Sequence, residues 1–245
     1  MVLQNNTILI TGGSSGIGLE LTKKLLERKN KVLICGRTLK KLQRAKQKLP
    51  SLHYLQCDIS KPSDCKQLRN WVLENHPHCN VLINNAAIVH VENFYRDDDI
   101  LKKADAEVQT NLMAPIRLSK LFAPILNNNK NPGIINITTG LVYVPRTIYP
   151  FYNATKSALH SFTQVLRSQS TDSPIDIVEV QFPAVDTPWH QGNPPDIAIP
   201  TEEAVRKMIE GIEKGHKEVQ VGKVKLLYLL SRLAPNFAFR KLNSL

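Results

Sequence analysis

The chain has 245 residues, 42% of them hydrophobic, and 32 Lys/Arg against 21 Asp/Glu give a formal net charge of +11. That length suits one large α/β domain with a full core rather than two, and the apolar content excludes wholesale disorder. Eleven basic residues fall in positions 1–50 against only Glu20 and Glu27, a surface suited to an anionic ligand; no basic recognition helix, finger spacing or aromatic-rich motif accompanies it, which excludes nucleic acid as the expected partner.

Short β-rich runs alternate with longer helical patterns, as in βαβ units with a parallel sheet covered on both faces. Thr7–Thr11 reads as the first strand and 16–29 as its helix, with Ile17, Leu21 and Leu25 on one stripe. Next come a strand over 31–35, a basic helix over 39–49 stopped by Pro50, a strand over 53–57, a helix over 62–75 and a strand over 81–83. A long helix over 100–127, bent near Pro115, leads to a strand over 133–138, a helix over 150–170 and a strand over 175–182. The proline-rich stretch 183–200 reads as irregular loop; Thr201 is expected to cap a last helix ending near Gly215, before a strand over 218–221. The expectation is a doubly wound α/β fold on a parallel seven-stranded sheet, one domain over 1–245 without repeats or linkers.

Cys35, Cys57, Cys65 and Cys79 make no CxxC pair and lack His partners at metal-ligating spacing. Reduced thiols in a cytoplasmic protein, with no metal site, are therefore expected. The start MVLQNNTILITGG shows no basic region or cleavage pattern, and no apolar run approaches the roughly 20 residues that span a bilayer.

Two motifs carry chemistry. Between the first strand and helix lies Thr11-Gly12-Gly13-Ser14-Ser15-Gly16-Ile17-Gly18. Glycines let backbone N–H groups approach a pyrophosphate, and the helix N-terminus adds its positive end. In Tyr152-Asn153-Ala154-Thr155-Lys156 the phenol and the ammonium stand four residues apart, on one face of a helix. A cation there favours phenolate and draws the Tyr pKa from about 10 toward neutrality, where it can give and take a proton.

With NNAA at 84–87 and Asn111 between them, these motifs make the chain resemble the short-chain dehydrogenase/reductase family over nearly its whole length. The C-terminal GKVKLLYLLSRLAP is also similar to that of bacterial oxidoreductases encoded beside lipoteichoic-acid D-alanylation genes. The resemblance implies a Rossmann domain and reversible hydride transfer between a nicotinamide cofactor and a small carbonyl or alcohol substrate. It implies Tyr152 as proton donor and acceptor, Lys156 as partner of the phenol and holder of the nicotinamide ribose, and Asn111 as anchor of a water leading to that Lys. The hydroxyl thirteen residues before the Tyr is Thr139, where the family commonly has Ser; Thr138 is its competitor if the alignment slips by one. Gly12, Ser14, Ser15, Gly16, Ile17 and Gly18 would cradle the phosphates, Asp58 would meet the adenine, and Asn85 and Ala86 would line the adenosine ribose. Pro183, Val185 and Thr187 would bind the carboxamide. Ala87 and Ala184 stand where the family usually has Gly.

After the second strand an acidic residue would accept from the adenosine ribose, but this chain has Gly36-Arg37-Thr38 with Lys40 and Lys41 behind. Arg37 suits a 2′-phosphate, so NADP(H) is preferred over NAD(H). A small substrate lid is expected over 188–215, with Trp189, His190 and Gln191 at its start; Val142, Tyr143 and Tyr149 face either substrate or packing partners. The tail 223–245 reads as a basic amphipathic segment, expected to pack on its own domain or a partner subunit rather than a membrane. The resemblance implies a homodimer or homotetramer paired through 100–127 and 150–170. Two other readings are a catalytically weak NADP-binding regulator, motivated by Thr139, Ala87 and Ala184, and a hydrolase, which lacks a GxSxG elbow and an evident Ser partner for His160.

Overall fold

The computed structural model describes residues 1–244. Its strands are β1 (Thr7–Thr11), β2 (Lys31–Gly36), β3 (His53–Gln56), β4 (Val81–Asn84), β5 (Gly133–Thr139), β6 (Asp176–Phe182), β7 (Val185–Asp186), β8 (Ile199–Pro200) and β9 (Glu218–Gln220). Seven form one parallel sheet in the order β3-β2-β1-β4-β5-β6-β9, while β7 and β8 pair with each other. The helices are α1 (Gly16–Glu27), α2 (Leu39–Lys48), α3 (Pro62–Asn75), α4 (Ile100–Glu107), α5 (Ala114–Asn127), α6 (Pro150–Gln169), α7 (Thr201–Glu213), α8 (Val224–Leu233) and α9 (Pro235–Asn243).

Strand residues alternate between two cores because successive side chains leave opposite faces of a sheet. Ile8, Ile10, Val32, Ile34, Val81, Ile83, Ile135 and Ile137 join α1, α2 and α7 on one face. Leu9, Leu33, Cys35, Leu82, Ile134 and Ile177 join α3 and α5 on the other. The sheet is thus doubly wound, as expected. Its order reverses between β1 and β4, the switch point at whose carboxyl ends open α/β sheets bind their ligands. All four cysteines are buried free thiols. Among the described residues no helix is long and apolar enough to cross a membrane.

Three expectations need correction. The long helix is interrupted not at Pro115 but by a π-helical turn over Val108–Met113, with Asn111 inside it and fully buried. Pro115 acts one step earlier than expected: it lacks the N–H that an α-helix would aim at the Asn111 carbonyl. The stretch 183–200 is not wholly irregular. It contains β7, β8 and a tight turn over Pro188–His190, and the Ile199 N–H donates to the Ala184 carbonyl at 3.0 Å. Thr201 does not cap α7. Pro200 occupies the capping position, and the Thr201 hydroxyl donates instead to the Asp186 carbonyl, tying the helix to β7.

Candidate active site

The glycine loop leaves β1 at the switch point and turns into α1. Gly12 and Gly16 have φ of +68° and +51°, a backbone region that side chains disfavour. At Gly18 a Cβ would lie 2.3 Å from the Gly12 carbonyl oxygen and 2.6 Å from Asn85 Nδ2, so only glycine fits. The loop therefore lies flat on the start of α1, whose first turn carries no acidic residue, and leaves a backbone cradle suited to an anionic group. Ser15 holds the extended capping position, Ser14 lies against Gly36 at the end of β2, and Ile17 packs on the core. Gly18→Ala is expected to weaken dinucleotide binding and lower the melting temperature by roughly 2–12 °C, the range for overpacking in a domain of this size; calorimetry with and without NADPH measures both.

Thr11, which opens the glycine motif and was given no role from the sequence, organises this corner. Its hydroxyl oxygen accepts from the backbone N–H of both Asn85 and Ala86, each at 3.0 Å. The Asn85 carboxamide donates to the Thr11 carbonyl at 2.9 Å and more weakly to that of Gly12. The Asn85 side chain thus braces the glycine loop. Ala86 lies against Gly12, and Ala87 is exposed. Arg37 is exposed at the end of β2 with its carbonyl held by Gln56, and among the described residues its guanidinium makes no ion pair. Asp58 is half-buried and accepts from the Ser60 N–H and hydroxyl.

The Tyr–Lys pair lies in the first turns of α6. Lys156 is 2% exposed, its Nζ donates to the Ile137 carbonyl at 2.8 Å, and it sits 5.9 Å from the centre of the Tyr152 ring. Burial pushes this ammonium down to about 8, against the opposing pull of Glu179 and Glu107. That shift from 10.5 corresponds to about 3 kcal/mol, so desolvation wins over both carboxylates. The Tyr152 phenol is raised, not lowered: burial comes first, then the negative charges of Glu107 and Tyr149. That direction favours the neutral phenol, the form that donates a proton.

Thr139 and Thr138 are told apart by their partners. The Thr138 hydroxyl donates to Glu179 Oε1 at 2.5 Å and is committed to the buried interior. Thr139 ends β5 and caps the turn Gly140–Val142, accepting from the Leu141 N–H at 3.3 Å. A hydroxyl that accepts keeps its own proton to donate. Asn111 pairs with the peptide of Ile88 in both directions, donating to its carbonyl at 2.8 Å and accepting from its N–H at 2.9 Å. Its side chain thus holds the segment after β4 in place.

Pro183 ends β6, Val185 is buried in β7, and the Thr187 side chain lies beside Gly16. The fold therefore brings this segment against the glycine loop. Trp189 is 41% exposed and stands 6.0 Å from the Tyr149 ring, itself 6.2 Å from Tyr152. Tyr149 is accordingly a neighbour of Tyr152. Tyr143 is a packing residue: its hydroxyl bonds to Gln181 and Gln220, and its ring meets Tyr228.

Two buried carboxylates were missed. Glu107 accepts from the His90 N–H at 2.8 Å and faces His90 Nδ1 at 2.9 Å; burial raises its carboxyl. Glu179 faces His160 Nδ1 at 2.8 Å, and this contact raises the imidazole. Glu179 had a readable signal, a lone charge in the apolar run Ile177-Val178-Glu179-Val180. Among the described residues His160 has Glu179 and Gln181 as hydrogen-bond partners and no serine hydroxyl, the nucleophile that the hydrolase reading needs.

Comparison with known proteins agrees with this geometry. The chain is 39% identical over 249 residues to the uncharacterized oxidoreductase DltE of Bacillus subtilis, covering 100% of this chain and 99% of that protein. A short chain dehydrogenase from Burkholderia cenocepacia, solved in complex with NADP, superposes with a TM-score of 0.87 at 22% identity over 99% of both chains. A short chain dehydrogenase/reductase from Burkholderia phymatum, solved in complex with NAD, gives 0.85 at 17% identity over 96% of this chain and 95% of that one. The family described as short chain dehydrogenase matches residues 6–198, and the chain belongs to it.

Proposed function

We propose that the protein is an NADP(H)-dependent oxidoreductase that interconverts a carbonyl and an alcohol, with Tyr152 as general acid and base. The observation that carries this reading is the buried Lys156 Nζ standing 5.9 Å from the Tyr152 ring on α6, in a fold whose glycine loop admits no Cβ at Gly18. The nicotinamide, when bound, supplies or accepts the hydride at the carbonyl carbon. Ser14, Ser15, Gly16, Ile17 and Gly18 hold the phosphates through backbone and hydroxyl groups, and Asp58 and Ala86 border the adenosine. The exposed Arg37 favours a 2′-phosphate; the related structures themselves divide between NADP and NAD. Pro183, Val185 and Thr187 orient the carboxamide end from beside Gly16.

In reduction the Thr139 hydroxyl donates to the carbonyl oxygen and stabilises its developing charge, while Tyr152 delivers the proton. Lys156 holds the nicotinamide ribose and steadies the phenolate left behind. Asn111 acts through position: it fixes Ile88, and its backbone carbonyl, spared an α-helical partner by Pro115, is available to a water on the path to Lys156. The segment 188–215 forms the lid, with Trp189 and Tyr149 as the aromatic side of the mouth. The enzyme works as a homodimer or homotetramer.

The experiment is a screen of NADPH oxidation across aldehydes, ketones, quinones and hydroxy-acid precursors, followed by a pH profile on the best substrate. Because the charged form of Lys156 is required and its pKa is about 8, kcat/KM of the free enzyme should fall as pH rises past that value. Lys156→Arg should remove this alkaline limb while lowering the rate. A profile flat to pH 10 in the wild type would count against the Lys156 assignment.

A further inference from the structure

The tail is apolar on two sides, and only one is covered. On the inner side Val224 is buried, Val224 and Leu227 press on Gly140, and Tyr228 packs its ring 4.9 Å from Tyr143. In α9, Ala238 is buried, and Asn243 donates to the Pro145 carbonyl and accepts from the Thr147 N–H. These contacts bind the tail to the segment 140–147 that follows Thr139. On the outer side Leu226, Leu229 and Leu233 are 54%, 45% and 83% exposed, at helical spacing on one stripe of α8. In α9, Phe237 and Phe239 are also exposed, at 52% and 41%, one on each flank of the buried Ala238. Lys223, Lys225, Arg232, Arg240 and Lys241 surround them, and residues 222–244 contain no Asp or Glu.

We propose that this outer face of α8 and α9 docks on an anionic lipid bilayer, lying in the interface without crossing it. Exposed Leu and Phe flanked only by Lys and Arg match a surface that is anionic at the headgroups and apolar just beneath. A second copy of the chain is a poor occupant. A two-fold contact sets the same patch against itself, and here that opposes cations to cations with no side-chain carboxylate between them. Self-association has a different surface to use: Leu101 and Val108, beside α4 and the π-helical turn, and Val165 on α6 are exposed apolar residues remote in sequence from the tail.

The test is co-sedimentation of the full-length protein with phosphatidylglycerol vesicles and with phosphatidylcholine vesicles, at low and raised salt. The expected result is binding to the anionic vesicles, release by salt, and little binding to the zwitterionic ones. Two variants separate the contributions: Leu229→Asp with Leu233→Asp, and Lys225→Glu with Arg232→Glu. All four side chains are exposed, so the fold should survive, which circular dichroism checks. Each pair should weaken anionic binding by at least roughly tenfold, since one basic residue near such a surface already contributes several-fold. The proposal is overturned if the wild type stays in the supernatant with anionic vesicles, or if both variants bind as the wild type does. It is equally overturned if the Asp variant splits an oligomer by light scattering, because a second copy then covers this face.

Discussion

Replacing Tyr152 by Phe is expected to lower kcat by about a hundredfold to ten-thousandfold, the usual contribution of one positioned acid or base, with NADPH affinity nearly unchanged. The substitution removes a hydroxyl and leaves the ring, its Tyr149 neighbour and the Lys156 bond to the Ile137 carbonyl in place. Fold and cofactor cradle are therefore spared, and the loss reads on proton transfer alone. Fluorescence titration with NADPH and steady-state kinetics on one preparation give the two numbers. Turnover within a few-fold of the wild type would mean that another group supplies the proton. Thr139→Ser should be close to neutral because the hydroxyl is retained, whereas Thr139→Ala should be impaired. Its loss should not add fully to that of Tyr152, because residues that act as a unit are strongly non-additive.

The second large effect concerns cofactor choice. Arg37→Asp should reduce kcat/KM for NADPH by roughly 10- to 150-fold, the worth of a charge-assisted hydrogen bond, and leave or improve that for NADH. The Arg37 side chain is exposed and, among the described residues, makes no hydrogen bond or ion pair, so its removal disturbs no internal contact. A carboxylate there would accept from a ribose hydroxyl and repel a phosphate, which adds discrimination beyond the lost cation. Lys40 and Lys41, both exposed on α2, are at hand to retain part of the preference through longer-range attraction. That remainder should shrink as salt is raised. An unchanged ratio of NADPH to NADH efficiency would remove Arg37 from the cofactor site.

The centre of the sheet was legible because β1, β2, β4, β5 and β6 are mostly apolar runs between turn residues, and burial on both faces leaves no other place for them. The glycine loop was legible for a related reason: Gly18 meets a carbonyl oxygen where any Cβ would stand, and that constraint shows directly in residue type. Longer-range partnerships were not visible. Periodicity over 100–127 cannot separate i→i−4 from i→i−5 bonding, so the break was assigned to Pro115 instead of the turn around Asn111. Prolines over 183–200 hid two-residue strands whose pairing spans a loop. Thr201 before two glutamates looked like a cap, but its hydroxyl had a tertiary acceptor at Asp186. The Tyr152–Lys156 spacing was legible, and the burial that opposes charge on both groups was not. Local geometry suggests mutual stabilisation of charge, whereas burial, which no helical wheel shows, dominates both groups. The carboxylates Glu107 and Glu179 share that origin: their imidazole partners meet them only once the helices have packed.

The central claim is hydride transfer to a carbonyl carbon with Tyr152 supplying the proton, and isotope transfer tests it most directly. Enzyme incubated with NADPH deuterated at the nicotinamide C4 position and a responsive aldehyde or ketone should give an alcohol carrying one deuterium on the former carbonyl carbon. The Tyr152→Phe protein should bind the same NADPH and transfer almost none. Tight NADPH binding by the wild type with no deuterium in any product of the panel would contradict the account and leave a cofactor-binding regulator in its place.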